Sequence, residues 1–109
     1  MEARAEERLL RLVGLGVRSR GAVVGVEQVR EAAKKGKLAL AIVASDASPH
    51  SAAKVVPLLQ ARSIEILRVP SATELGRAVG RDQTAAVGIV DRQLARGMRE
   101  AMVSAPDRS

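Results

Sequence analysis

Asp46, Ser48 and His50 are the residue types of a hydrolytic relay, and they stand out as candidates for chemistry in a chain that has no cysteine. A relay needs its members brought together from separate segments, each oriented by the next. Here all three fall within five consecutive positions, where an apolar run passes into a Ser-Pro helix start. Asp46 and Ser48 are therefore expected to order a turn and cap a helix. His50 is the sole histidine, with no second ligand type at metal spacing. Gly14-Leu15-Gly16 is half of a dinucleotide fingerprint, but it falls inside a helical pattern and lacks the third glycine. Gly36-Lys37-Leu38 lacks the setting of a phosphate-binding loop. No active site assembles from these residues, and no enzyme is expected.

Binding chemistry has a better candidate in the stretch from Gly25 to Ser48, GVEQVREAAKKGKLALAIVASDAS. A helix with a polar face and a basic end runs through Gly36 into an apolar strand. That order describes a helix held against a sheet with its start left open. A helix start collects unpaired backbone N–H groups and about half a unit of positive charge, so it can receive a phosphate or a base edge. This second helix is read as an RNA-binding element.

Composition narrows the partner. Eighteen Lys and Arg against twelve Asp and Glu leave a net charge of +6, which favours phosphate-bearing partners through counterion release. Phe, Trp and Tyr are absent, so the base stacking used by single-strand binders is not available as the main mode. Zero cysteines exclude disulfides and thiolate zinc frameworks. No apolar run reaches the ~20 residues a membrane span needs, and MEARAEERLL is too charged for a signal peptide. A soluble, cytoplasmic protein is expected, and 109 residues with 47% apolar content suit one domain over 1–109.

These candidates must be positioned by alternating elements. Residues 3–17 carry Leu9, Leu10, Leu12, Val13 and Val17 at helical spacing. Residues 22–24 form a short strand, and the Gly25 helix, with Val26, Val29, Ala32 and Ala33 inward, stops at Gly36. The run at 38–44 is apolar almost throughout, as in a central strand covered on both faces. Ser48 and Pro49 start a third helix running to about Arg62, in which Pro57 predicts a kink. Residues 64–69 form a strand, Ser71 and Glu74 give a capping box for a short helix, and Gly80 ends it. Residues 85–90 make the last strand and 92–103 the last helix, packing through Leu94, Met98, Ala101 and Met102. Fraying is expected over 104–109. The alternation argues for an α/β protein, a three-layer α/β/α sandwich, and by itself for a mostly parallel sheet.

At this level of detail the chain resembles the kink-turn-binding ribosomal protein superfamily, the L-seven-Ae and L-thirty-e group, and especially its small bacterial members. The resemblance covers nearly the whole chain. It rests on Leu12-Val13-Gly14-Leu15 with Arg18, Arg20 and Gly21, on Gly25, Ala32 and Gly36, and on Ala44-Ser45-Asp46-Ala47-Ser48. It continues through Pro57-Leu58-Leu59, Val69-Pro70-Ser71, Glu74-Leu75-Gly76, Gly80 and Ala85-Ala86-Val87. No single piece is specific, but their order and spacing together are.

The resemblance implies a three-layer α/β/α sandwich with a four-stranded mixed sheet that grips a sharply bent RNA with two elements. One is the start of the second helix, entering the major groove at the sheared G·A pairs of a kink-turn. By position it is Gly25, Val26, Glu27, Gln28 and Glu31. The other is the loop before the last strand, covering a flipped-out nucleotide: Arg81, Asp82, Gln83, Thr84 and Ala85. Glu31 departs from the pattern, because many members carry a lysine there that donates to guanine O6 and N7, and a carboxylate would meet acceptors. Arg30 or Lys34 is a candidate replacement donor. Glu27 and Glu31 also form an i, i+4 like-charge pair, mildly unfavourable unless a cation sits between them. Arg18, Arg20, Lys34, Lys35 and Lys37 are expected to neutralise flanking phosphates, although the last three also suit a helix C-terminus.

The implied function is recognition of structured RNA, kink-turn or ribosomal, with a translation-linked role. The alternative is a protein-interaction or assembly factor that has lost the RNA grip, and a third is a partner of an RNA-modifying enzyme. A monomer is expected, with no membrane partner, no cofactor and no metal; the ribosome and RNA-modifying proteins are the candidate protein partners.

Overall fold

The computed structural model describes residues 3–103; the 104–109 tail, for which fraying is expected, lies outside the described residues. The elements run α1 Ala3–Arg18, β1 Ala22–Val24, α2 Val26–Lys34, β2 Leu40–Ala44, α3 Pro49–Ala61, β3 Ile66–Val69, α4 Ala72–Ala78, β4 Ala86–Ile89 and α5 Arg92–Val103. Their strands form one four-stranded mixed sheet in the order β1-β4-β2-β3.

Strand periodicity distributes the core. On β2 every residue is buried, with Leu40, Ile42 and Ala44 joining Leu9 and Val13 of α1, Leu75 of α4 and Met98 of α5 on one face. Ala41 and Val43 join Val29 and Ala33 of α2 and Val55 and Leu59 of α3 on the other. Successive strand side chains point to opposite faces, so a run without polar residues can fill two helix layers at once. The result is the expected α/β/α sandwich.

The mostly parallel sheet argued from alternation is not what forms. β2 and β3 are parallel, but β4 runs antiparallel to both β1 and β2. A parallel crossover must return the chain to the edge at which the preceding strand began. α4 has seven residues, about 10 Å at the usual rise, and the loop after it doubles back. The Thr84 amide donates to the Ala72 carbonyl at 3.0 Å, so the chain re-enters the sheet where α4 began. β4 therefore starts at the edge where β1, β2 and β3 end, called here the top edge.

Two serines mark helix starts as expected. Ser48 Oγ accepts from the Ser51 amide at 3.1 Å, and Ser71 Oγ accepts from the amides of Thr73 and Glu74, each at 3.1 Å. The Glu74 carboxylate lies 3.5 Å from Arg77. Ser71→Ala should lower the unfolding free energy by about 1 kcal/mol, measured by chemical denaturation, because two donors of α4 lose their acceptor. β2 and β3 each begin two residues later than the alternation suggests, and Ala95 is a core residue that the reading of α5 omits. Pro57 lies inside α3 on its exposed side.

Candidate functional site

Because β1, β2 and β3 all end at the top edge, α2, α3 and α4 all begin there. The carboxyl ends of parallel strands commonly leave a crevice outside the sheet, and β2 and β3 supply such a pair. A cleft of about 470 Å³ occupies that position. It is lined by Val26 of α2, by Asp46, Ala47, Ser48 and Ser51 at the start of α3, by Ala72 of α4, and by Gln83, Thr84 and Ala85. The two elements implied by the resemblance, far apart in sequence, thus meet across one opening.

Backbone hydrogen bonds hold them there. The Gly25 amide donates to the Ala86 carbonyl at 2.9 Å, and the Ala44 amide donates to the Ala85 carbonyl at 2.9 Å. Asp46 Oδ1 accepts from the Ala72 amide at 2.8 Å, joining the turn after β2 to the start of α4. Asp46 and Ser48 therefore order a turn and cap a helix, as their spacing suggests. Thr84 is buried, its hydroxyl 3.4 Å from the Ala86 carbonyl, so it braces the loop from within. The Arg81, Asp82 and Gln83 side chains are exposed.

The start of α2 differs from its neighbours. Gly25 is its N-cap with φ 99° and ψ 155°, and no side chain caps it. That backbone conformation belongs almost wholly to glycine. A Cβ placed on Gly25 would meet nothing within 4 Å, so the conformation, and not crowding, requires glycine. Glu27, Gln28 and Glu31 project from α2 as exposed side chains.

Each carboxylate of the like-charge pair has its own cation. Glu27 lies 3.5 Å from Lys54 of α3, and Glu31 lies 3.9 Å from Lys35. Both pairs are exposed and of small energetic weight, but they lower the local negative charge. Arg30, a candidate replacement donor, directs Nη1 to the Lys54 carbonyl at 2.7 Å and so braces α2 against α3. Arg62 does the same at the other end of α2, donating to the Lys34 carbonyl at 3.2 Å.

The remaining basic candidates are not brought to this edge. α2 descends from Gly25, so Lys34 stands roughly 12 Å along the axis from Val26, with Lys35 and Lys37 beyond it. Arg18 and Arg20 precede β1 and stand at the opposite edge too, since Ala22 pairs with Ile89 at the far end of β4. The cleft residues that the sequence reading did not include as binding residues are Asp46, Ala47, Ser48, Ser51 and Ala72, with Lys54 beside Glu27. The available signal was the Ser-Pro helix start after a central strand, which puts a turn at a carboxyl strand end.

Among the described residues no helix is long and apolar enough to cross a membrane. A model of the Ribosomal protein L7Ae/L30e/S12e/Gadd45 family matches residues 7–102. The chain is similar to an RNA-binding protein of Bacillus pumilus (strain SAFR-032), 36% identical over 58 residues, which cover 53% of this chain and 71% of that one. A protein of unknown function from Bacillus halodurans C has a similar structure, with TM-score 0.79 and 30% identity over 87% of this chain and 96% of the other. The Giardia lamblia 15.5kD RNA binding protein shares the fold at TM-score 0.78 and 22% identity, over 95% of this chain and 89% of that chain.

Proposed function

The chain belongs to the Ribosomal protein L7Ae/L30e/S12e/Gadd45 family, and from that premise we propose that it binds structured RNA of the kink-turn type in a translation-linked role. The observation that carries the reading is the meeting of the uncapped start of α2 with residues 83–85 at one cleft. The similarity to an RNA-binding protein of Bacillus pumilus supports the same class of partner.

In this reading the open amides at the start of α2 receive a phosphate, and the glycine conformation leaves the space above Gly25 clear for close approach. Glu27 accepts from the N1 and N2 donors of a guanine. Gln28 carries both a donor and an acceptor and suits a neighbouring base edge. Val26 and Ala85 give the cleft small apolar walls against which an unstacked base can rest without an aromatic platform. Lys54 takes the position beside Glu27 where a cation offsets the carboxylates and meets phosphate.

The test is binding to a kink-turn RNA and to a plain duplex of equal length at two salt concentrations. Tighter binding to the kink-turn should survive the higher salt, and Glu27→Ala or Gln28→Ala should reduce that preference about tenfold or more. Equal, salt-sensitive binding to both RNAs would refute the proposal and favour an assembly factor working through protein contacts.

A further inference from the structure

A second charged surface lies in the other helix layer. Arg4, Arg8, Arg11, Leu15 and Arg18 follow one another at intervals of three, four and seven residues, or sums that stay on one face of α1, and all are exposed. The stripe is roughly 21 Å long at the usual helical rise. Among the described residues these four arginines have no hydrogen-bond or ion-pair partner. Arg30, Arg62 and Arg99 are tied to carbonyls or a carboxylate. Arg4 and Arg8 are like charges at i, i+4, which works mildly against the helix, and Glu7 beside them offsets only part of this.

The stripe borders a cleft of about 450 Å³ between α1 and α4, where Arg11 and Arg18 are joined by Arg77, with Glu7 and Glu74 on its walls. Gly14 lets the two helices approach, since a Cβ there would stand 2.9 Å from the Ala78 carbonyl. α4 connects the two clefts. It contributes Ala72 to the top edge and Arg77 to this one, roughly 8 Å apart along the helix.

We infer that α1 and α4 form a second phosphate-contacting surface that takes the backbone of an RNA stem flanking the feature held at the top edge. The inference rests on the proposed reading of the chain as an RNA binder. Guanidinium forks match phosphate geometry, and a linear stripe suits a repeating polyanion. A protein partner would want an apolar centre, and Leu15, 46% exposed, is the one large hydrophobic residue exposed among the described residues. Contacts of this kind carry no sequence information and act through affinity and salt dependence.

The experiment compares the unaltered chain, an Arg11→Gln/Arg18→Gln double variant and an Arg92→Gln/Arg96→Gln control that removes the same charge from exposed positions of α5. Each is titrated across salt against a kink-turn RNA with an extended stem and the same RNA with that stem cut back. On the extended RNA the α1 variant should lower the slope of log affinity against log salt by about 1.5, while the preference for kink-turn over duplex is retained. On the short RNA it should match the unaltered chain, and the α5 control should match it on both. An unchanged slope, or an equal fall in the control, overturns this inference and leaves the parent reading standing. No RNA binding by the unaltered chain overturns both. Circular dichroism of each variant separates lost contacts from lost folding.

Discussion

Gly76→Ala is expected to lower the melting temperature by about 5–10 °C and to erode the preference for bent RNA, even though it replaces glycine by the best helix former. Gly76 lies inside α4, where the change alone would add about 0.5–1 kcal/mol. A Cβ at this position, however, would stand 2.4 Å from Gln83 Cα, 2.7 Å from its nitrogen and 2.8 Å from its carbonyl carbon. All three are backbone atoms, so no side-chain rotation can relieve the overlap. The loop must move, at a cost of about 1–3 kcal/mol, which outweighs the helical gain. The moving segment is the one that lines the top-edge cleft, so stability and RNA discrimination should fall together. Gly97→Ala in α5 is the matched control. Its Cβ would meet Leu12 at an ordinary 3.9 Å, and the same substitution there should stabilise slightly. A Gly76→Ala protein as stable as its parent would show that α4 does not hold the loop.

Ile42→Ala should be the most damaging single truncation, reducing unfolding free energy by about 3–4 kcal/mol, whereas Ile42→Val should cost about 1 kcal/mol. Ile42 is fully buried at the middle of β2, packed within the cluster that joins α1, α4 and α5 to the sheet. Its strand has paired neighbours on both sides, so the backbone cannot close the cavity left behind. The core contains no aromatic ring that could tilt into the space. Denaturant unfolding followed by far-UV circular dichroism is the suitable measurement, since without Trp or Tyr there is little intrinsic fluorescence to follow. A loss below about 1 kcal/mol for the alanine variant would show that the sheet repacks more freely than its pairing implies.

Much of the architecture is legible in the chain because the local signals are strong and agree. The bounds of β1 and α5 coincide with the sequence reading, and the serine caps of α3 and α4 are where Ser48 and Ser71 predict them. The two-faced burial of β2 follows from a run without polar residues. Sheet direction was less accessible. Alternating elements suggest parallel strands, and the reversal of β4 depends on the contact between Thr84 and Ala72, twelve residues apart.

The candidate site divides in the same way. Gly25 as a helix opener and the carboxylates after it are local features, and they can be read from residue types alone. Their companions are decided by the direction each helix takes from the sheet. Lys34, Lys35 and Lys37 look like neighbours of the Gly25 helix start in sequence, yet α2 carries them away from it. Asp46, Ser51 and Ala72 come to Val26 from separate segments because three strands end at one edge. Residue types and spacing by themselves determined the helices, the strands, their caps and the net positive charge, since these depend on interactions within a few residues. Tertiary structure alone decided which charges share a surface, because that depends on strand direction and on contacts between segments remote in the chain.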